Sequence, residues 1–409
     1  MNAPLNRIIE QVRTALEGKT PLRIRGGGSK DFYWPGGEPD GVIASGAKGD
    51  AFISKVLDTT PLNGIVNYEP SELVVTVKAG TPLAELEAAL AEKNQCLPFE
   101  PPHFAGGATV GGMVAAGLAG PARASVGGVR DYVLGLELLN GRAELLRFGG
   151  TVMKNVAGYD VSRLMVGAMG TLGLITEVSI KVLPFATSEA TLRFVMDEAS
   201  AIHQLNTWAG QPLPLNASSW VIDAGVPTLY LRLRGAVAAV ETACAMFAAK
   251  HGGVRVDSPA IRADWTAARD LKLPWFEAGY QRGQDLWRIS VPPTAKPLNQ
   301  GDTMVDWLGS QRWLWLPPGD AAGAQNLVKS ARNVGGNASL FIAGNRINSG
   351  LDITNKLKFS AEAQVQPAPA SSGASAANTA AAVGAISRRL KDEFDPSGIF
   401  NRGRLTPGQ

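Results

Sequence analysis

Between Gly106 and Gly128 the chain reads GGATVGGMVAAGLAGPARASVGG, a run crowded with glycine and alanine and free of acidic residues. Glycine at this density lets backbone approach a ligand closely, and successive unengaged N–H groups form a nest for an anion. The run therefore predicts a site for a phosphate-bearing cofactor; the alternative is a mobile surface loop. A second cluster, Arg25-Gly26-Gly27-Gly28-Ser29, weighs against that alternative because it directly follows the strand-like Pro21 to Ile24. Two glycine loops, each behind an apolar strand, suit a dinucleotide held between two small lobes.

The other dinucleotide and nucleotide signatures are missing. A nicotinamide-type fold needs GxGxxG between strand and helix, whereas the nearest run, Gly167 to Gly173, has the spacing GxxGxxG and precedes a strand. Gly18-Lys19-Thr20 resembles the end of a P-loop, but Arg13 stands where that motif requires glycine. With 409 residues and 45% hydrophobic content, the chain can bury a large core and divides into two or three domains. The +3 net charge is mild and the Lys and Arg residues are scattered, which speaks against nucleic-acid binding. Cys96 and Cys244 stand far apart with no CxxC, so this chain alone holds neither an iron–sulfur cluster nor a zinc knuckle. They read as packed, reduced thiols of a cytoplasmic protein. No run reaches the roughly 18 apolar residues of a membrane span, so the expectation is a soluble chain without its own anchor.

In order, a helix is predicted over Ile8 to Leu16 and a strand over Leu22 to Arg25. Another strand covers Glu72 to Val77, and a helix covers Leu83 to Lys93 with Thr81 as its cap and Pro82 in its first turn. Asn140-Gly141 predicts a tight type I′ hairpin between Arg130 to Leu139 and Ala143 to Phe148. A short helix from Ser162 and a strand from Leu174 to Leu183 follow. From Ala190 a second α+β unit begins: strand, helix (Ala199 to Ala209), two strands and helix (Val237 to Lys250). Roughly the same order returns at Leu286 to Val291, Leu298 to Leu308, Trp313 to Leu316, Ala321 to Val334 and Ser339 to Ile342. Trp287, Trp307, Trp313 and Trp315 read as core packing. Gln364 to Val383 lacks a hydrophobic period and is expected to be a flexible loop. Ile386 to Phe394 is a last helix whose tail returns to an earlier domain.

Of three histidines, His103 alone adjoins the central glycine run, where it is either functional or hydrogen-bonded to loop backbone. His251 closes a helix, where a basic residue suits the dipole.

Together, RIRGGGSK, YEPSELVVTVKAGTPLAELEAAL, PPHFAGGATVGGMVAAGLAGP, VLGLELLNG, KNVAGYDVSRLMVGAMGTLGLITE and FDPSGIFNRGRL resemble the flavoproteins with a PCMH-type FAD-binding domain, the vanillyl-alcohol oxidase superfamily. Within it, PFEPPHFAGGATVGGMVAAGLAGPARASVGGVRD, VMKNVAGYD, LWRISVPP and QRWLW resemble the FAD-binding E subunits of bacterial glycolate oxidase. The resemblance implies an α+β fold: a two-lobed PCMH-type FAD-binding domain over 1-184 (lobes about 1-60 and 61-184) and a smaller α+β cap domain over 185-360. A flexible loop over 361-385 and a C-terminal segment, 386-409, returning to the FAD domain complete it.

It further implies FAD held by the backbone amides of Gly26 to Ser29 and of Thr109 to Gly112. Arg25, Pro102, Gly107 and Asn401 would also belong to the cofactor site, with Gly173 and Ile175 beside the adenine and ribose. Relatives with covalent flavin often carry a histidine in the first loop; here Gly28-Ser29-Lys30 implies noncovalent FAD. The implied partners are a second FAD-containing glycolate oxidase subunit, an iron–sulfur subunit and a small hydroxy acid, with membrane association only through partners at the inner face. No metal site is expected.

Catalysis is where the chain departs from its superfamily. Oxidising a 2-hydroxy acid needs a base for the hydroxyl proton and a cation for the carboxylate, yet nothing after His251 is histidine. Arg404 and His103 are the candidate catalytic residues. Three functions stay open: a flavin-bearing subunit of a glycolate dehydrogenase complex, a self-sufficient FAD oxidoreductase using Arg404, Arg346 or Tyr159, and a structural subunit that has lost its cofactor.

Overall fold

The computed structural model describes residues 3–33, 42–44, 51–53, 55–151, 160–344 and 374–404. The amphipathic helix Ala3–Glu17 buries Ile8, Val12 and Ala15 against Leu22, Leu57, Leu62, Leu139, Leu174, Ile399 and Phe400. Strand Leu22–Arg25 pairs in parallel with Lys55–Asp58 and delivers the chain straight into the first glycine loop. Beside it lies a five-stranded antiparallel sheet with strand Leu174–Lys181 at its centre, between Val74–Lys78 and Val133–Leu139. Strands Ile65–Glu69 and Leu145–Gly149 form its edges. Helices Leu83–Ala91 and Val110–Ala116 close the core of this sheet with Leu86, Leu90, Met113 and Val114.

The second unit is an eight-stranded antiparallel sheet that opens with Val254–Arg255 and Ser188–Val195 and ends with Asp285–Ser290 and Asn337–Ile342. Helices Glu198–Ala209 and Val237–His251 cover part of it through Trp208 and Phe247. Trp287 packs with helix Ala321–Asn333. Trp313 and Trp315 face the other way, into a cluster with Phe32, Phe104 and Leu118 of the first unit. Trp307 is not core: its Nε1 donates to the Gly120 carbonyl (2.9 Å) and the Arg123 guanidinium lies 4.6 Å from its ring centroid, so it seals the seam between units. The seam is also clamped by Glu100, which accepts from Arg232 (2.7 Å) and Arg234 (3.1 Å) across it. Burial alone would raise the Glu100 pKa, but the two guanidiniums hold it below the usual carboxylate range.

Four local expectations change. The hairpin at Asn140-Gly141 is a five-residue connection, because the first paired residues are Leu139 and Leu145. Ala143 takes the positive φ (+59°), and Asn140 Oδ1 organises the turn by accepting from Arg142 and Glu144 amides. Gly141 is needed for room instead: its N–H donates to the Phe394 carbonyl (2.7 Å), and a Cβ there would run into Asp395. Thr81 does not cap the helix; its hydroxyl is exchanged with the Gly64 amide and carbonyl, and Pro82 is the N-cap. Leu298 to Leu308, second in the repeated order where the earlier half has its helix, instead holds strand Thr303–Asp306, paired with Gln311–Leu316. Finally, helix Ala374–Phe394 begins inside the expected flexible loop, since the alanine-rich run has high helix propensity; residues 364–373 lie outside the described residues.

The C-terminal segment returns to the first unit. Leu22 N donates to Ile399 O (2.7 Å) and Asn401 N to Leu22 O (3.0 Å), so residues 399–401 run along the first strand. Buried Asp395 collects Lys391 Nζ and the amides of Ile399 and Phe400, which fixes the turn after the last helix.

Candidate cofactor site

One cavity of about 690 Å³ opens where the first glycine loop, the start of helix Val110–Ala116, the Met169–Ile175 stretch and the C-terminal segment meet. Arg25, Gly26, Gly27, Gly28, Ser29, Thr109, Gly111, Gly112, Gly173, Ile175, Asn401 and Arg404 all line it. Residues as far apart in the chain as Arg25 and Arg404 thus share one wall.

The two glycine loops touch each other. A Cβ on Gly27 would fall on the Gly107 carbonyl, which places Gly107 directly behind the cavity wall without lining it. Among the described residues, the amides of Gly26, Gly27, Gly28 and Ser29 donate to no protein acceptor. The second loop differs from expectation. Val110 N donates to Thr81 O (3.0 Å), Gly111 N to Ala79 O (2.7 Å) and Gly112 N to Thr109 Oγ1 (3.2 Å). Those amides are already used by the protein, because the first turn of the helix is pinned to the strand end at Ala79 and capped by Thr109.

Asn401, 3% exposed, bridges the walls: its Oδ1 accepts from Ile24 N (2.8 Å) and its Nδ2 donates to Met169 O (2.7 Å). Arg25 is held by Asp31 (2.7 Å), as is Arg23 (3.1 Å). Burial lowers the Arg404 guanidinium to about 10 against the attraction of Asp31, with Arg23 lowering it further; it stays charged at neutral pH. Lys30 also lines the cavity and was not singled out from sequence as a site residue. Burial draws its ammonium down to about 8 against Asp270, with Arg269 adding repulsion.

Two expected residues stand elsewhere. Pro102 is buried but does not line the cavity. His103 is turned away from it: its Nε2 lies 2.9 Å from a Glu87 carboxylate oxygen on helix Leu83–Ala91, and its amide donates to Asp270 (2.7 Å). Neither the catalytic role nor the backbone-bonded imidazole describes this geometry. His251 stacks against Trp208 at a centroid distance of 5.3 Å. Tyr159 and Arg346 lie outside the described residues.

Residues 5–149 match the FAD binding domain family. The glycolate oxidase subunit GlcE of Escherichia coli K12 is 38% identical over 399 residues, which is 97% of this chain and 96% of that protein. The chain belongs to the GlcE family of FAD-binding glycolate oxidase subunits. It is also 33% identical over 143 residues to the glycolate oxidase subunit GlcD of Bacillus subtilis, covering 35% of this chain and 30% of that one. In three dimensions it is similar to alkyldihydroxyacetonephosphate synthase, with a TM-score of 0.63 over 98% of this chain and 74% of that protein at 14% identity, a likeness of fold alone.

The residues present fit FAD. Among the described residues the Gly26 to Ser29 amides are unengaged donors at a wall too tight for any Cβ at Gly27, and two cations, buried Lys30 and half-buried Arg404, line the same space. The one carboxylate among the lining residues, Asp31, is held by Arg25 and Arg23, so the free donors and cations of the wall suit a diphosphate. Among the described residues, no group of His, Cys, Asp and Glu is arranged to hold a metal ion.

Proposed function

We propose that this chain is the FAD-binding subunit of a glycolate oxidase complex and takes part in the oxidation of glycolate to glyoxylate. The observation that carries the reading is the cavity wall formed by Gly26 to Ser29, Lys30 and Arg404, which offers hydrogen-bond donors and cations with no imidazole. The Gly26 to Ser29 amides would hold the diphosphate, Gly173 and Ile175 would lie along the adenosine, and Arg404 would receive an anionic group. FAD supplies the acceptor for the two electrons that leave glycolate. The cofactor is held noncovalently, since the first loop reads Gly28-Ser29-Lys30 with no histidine.

General-base catalysis contributes about 10²- to 10⁴-fold, and the cavity has no histidine to provide it. The chain's two cysteines are too few to ligate an iron–sulfur cluster. Both points support turnover only together with a second FAD-containing subunit and an iron–sulfur subunit. Among the described residues no helix is long and apolar enough to cross a membrane, which agrees with a cytoplasmic subunit reaching the inner face through its partners.

The test is anaerobic. The purified chain, mixed with glycolate, should keep its flavin absorbance for minutes and bleach only when the partner subunits are added. Rapid bleaching by glycolate alone would replace this reading with a self-sufficient oxidoreductase. Acid precipitation should leave the flavin in the supernatant; flavin in the pellet rejects noncovalent binding.

A further inference from the structure

Lys30 is a cavity residue whose charge the first glycine loop does not balance. It is 8% exposed, and among the described residues its Nζ approaches Ser29 Oγ (3.4 Å) and, at 5.7 Å from the centroid, the Phe104 ring. Among the described residues no carboxylate lies within ion-pair distance of it. The adjacent Asp31 is taken by Arg25 and Arg23. Asp270, from the cap side, is taken by Arg269 (2.8 Å) and by the His103 and Phe104 amides. A buried ammonium with no counter-ion is costly by several kcal/mol. Evolution of a binding wall tolerates such a cost where the missing charge arrives with the ligand.

We propose that Lys30 is the counter-ion of the FAD diphosphate, so that binding the cofactor captures a proton on its side chain. The inference rests on the FAD reading. Its ground is position: Lys30 follows Ser29, the last of four consecutive residues whose amides are unengaged, and all five line one cavity. The charged groups facing it are Asp270 and Arg269 at the end of helix Ile261–Arg269, and Arg25, Asp31 and Arg404 in the cavity wall.

The sign follows from linkage. In the cofactor-free protein the ammonium is half deprotonated near pH 8, and two negative charges beside it raise its pKa. Binding therefore takes up a proton above pH 8 and weakens by roughly tenfold per pH unit until the raised pKa is reached.

The probe is oxidised FAD added to protein stripped of flavin, measured by calorimetry at pH 8 in two buffers of different ionisation enthalpy. The wild-type chain should take up about half a proton per FAD. Lys30→Met should take up almost none and bind more weakly. Lys30→Arg, charged throughout, should bind equally well at pH 7 and pH 9.5. Because the oxidised flavin ring is uncharged at pH 8, uptake with oxidised FAD assigns the lysine to the diphosphate. Wild-type binding without proton uptake overturns the proposal, as does undiminished uptake by Lys30→Met. Uptake that appears only when the flavin is reduced places the charge at the ring and overturns it too. A wild-type chain that binds no FAD rejects the underlying reading instead.

Discussion

The two glycine loops look alike in sequence and differ in what they have left to give. In the first, Gly26 to Ser29, the chain has just left a short parallel strand and its amides point at no acceptor among the described residues. In the second, Val110, Gly111 and Gly112 donate to Thr81, Ala79 and Thr109 within the fold. The first loop is a donor surface. The second is a spacer whose missing side chains let a helix start lie against a strand end. Glycine content alone therefore does not identify an anion nest; what matters is whether the freed N–H groups have already found partners.

The largest expected effect is at Gly27. Alanine there places a Cβ on the Gly107 carbonyl, a backbone atom that cannot rotate aside. Gly27→Ala should lose bound flavin altogether and fall at the upper end of the about 1–3 kcal/mol that overpacking costs. Flavin content after purification and the urea midpoint measure both. Full flavin loading would mean that the two loops do not meet as described.

Gly111→Ala comes next. Its Cβ would stand 2.7 Å from the Ala79 Cβ and 2.9 Å from the Ala79 carbonyl, so helix Val110–Ala116 must tilt off the strand end. About 1–2 kcal/mol of stability should be lost, with flavin bound weakly rather than absent. The contrast between loops is broken if this variant behaves as Gly27→Ala does.

Much of this is legible in the sequence. Strand Leu22–Arg25, helix Val237–His251 and the cofactor loops follow from apolar periodicity and glycine punctuation. The eleven-residue stretch Leu298 to Leu308 did not, because a four-residue strand followed by a single 3₁₀ turn carries apolar residues at spacings that also fit a helix. Gly141 misled for a different reason. Asn-Gly is a turn signal that rests on local φ preferences, but here the glycine makes room for Asp395, more than 250 positions away, and no local pattern encodes that. Lys30 escaped for the same reason: its burial depends on Phe104 and on a cap-side helix end. His103 shows the converse. Nearness in sequence to the glycine run suggested function, whereas Glu87 on the neighbouring helix holds the ring outside the cavity.

Thr109→Val is the smallest and most discriminating change. The Thr109 hydroxyl accepts from Gly112 N at 3.2 Å, and Thr109 is the N-cap of helix Val110–Ala116. Valine keeps the shape but removes that acceptor, so the Gly112 amide becomes an unengaged donor at the cavity wall, as the first loop's amides already are. Loss of an N-cap costs about 0.5–2 kcal/mol, and the urea midpoint should fall accordingly. Flavin affinity should change by no more than roughly tenfold, because a single neutral hydrogen bond contributes about 0.5–1.5 kcal/mol. A gain in affinity would mean that the released amide now serves the ligand, which sharpens the distinction between donor loop and spacer loop. A loss of flavin as complete as in Gly27→Ala would show that the Thr109 hydroxyl itself holds the cofactor, and the second loop could then no longer be described as a spacer.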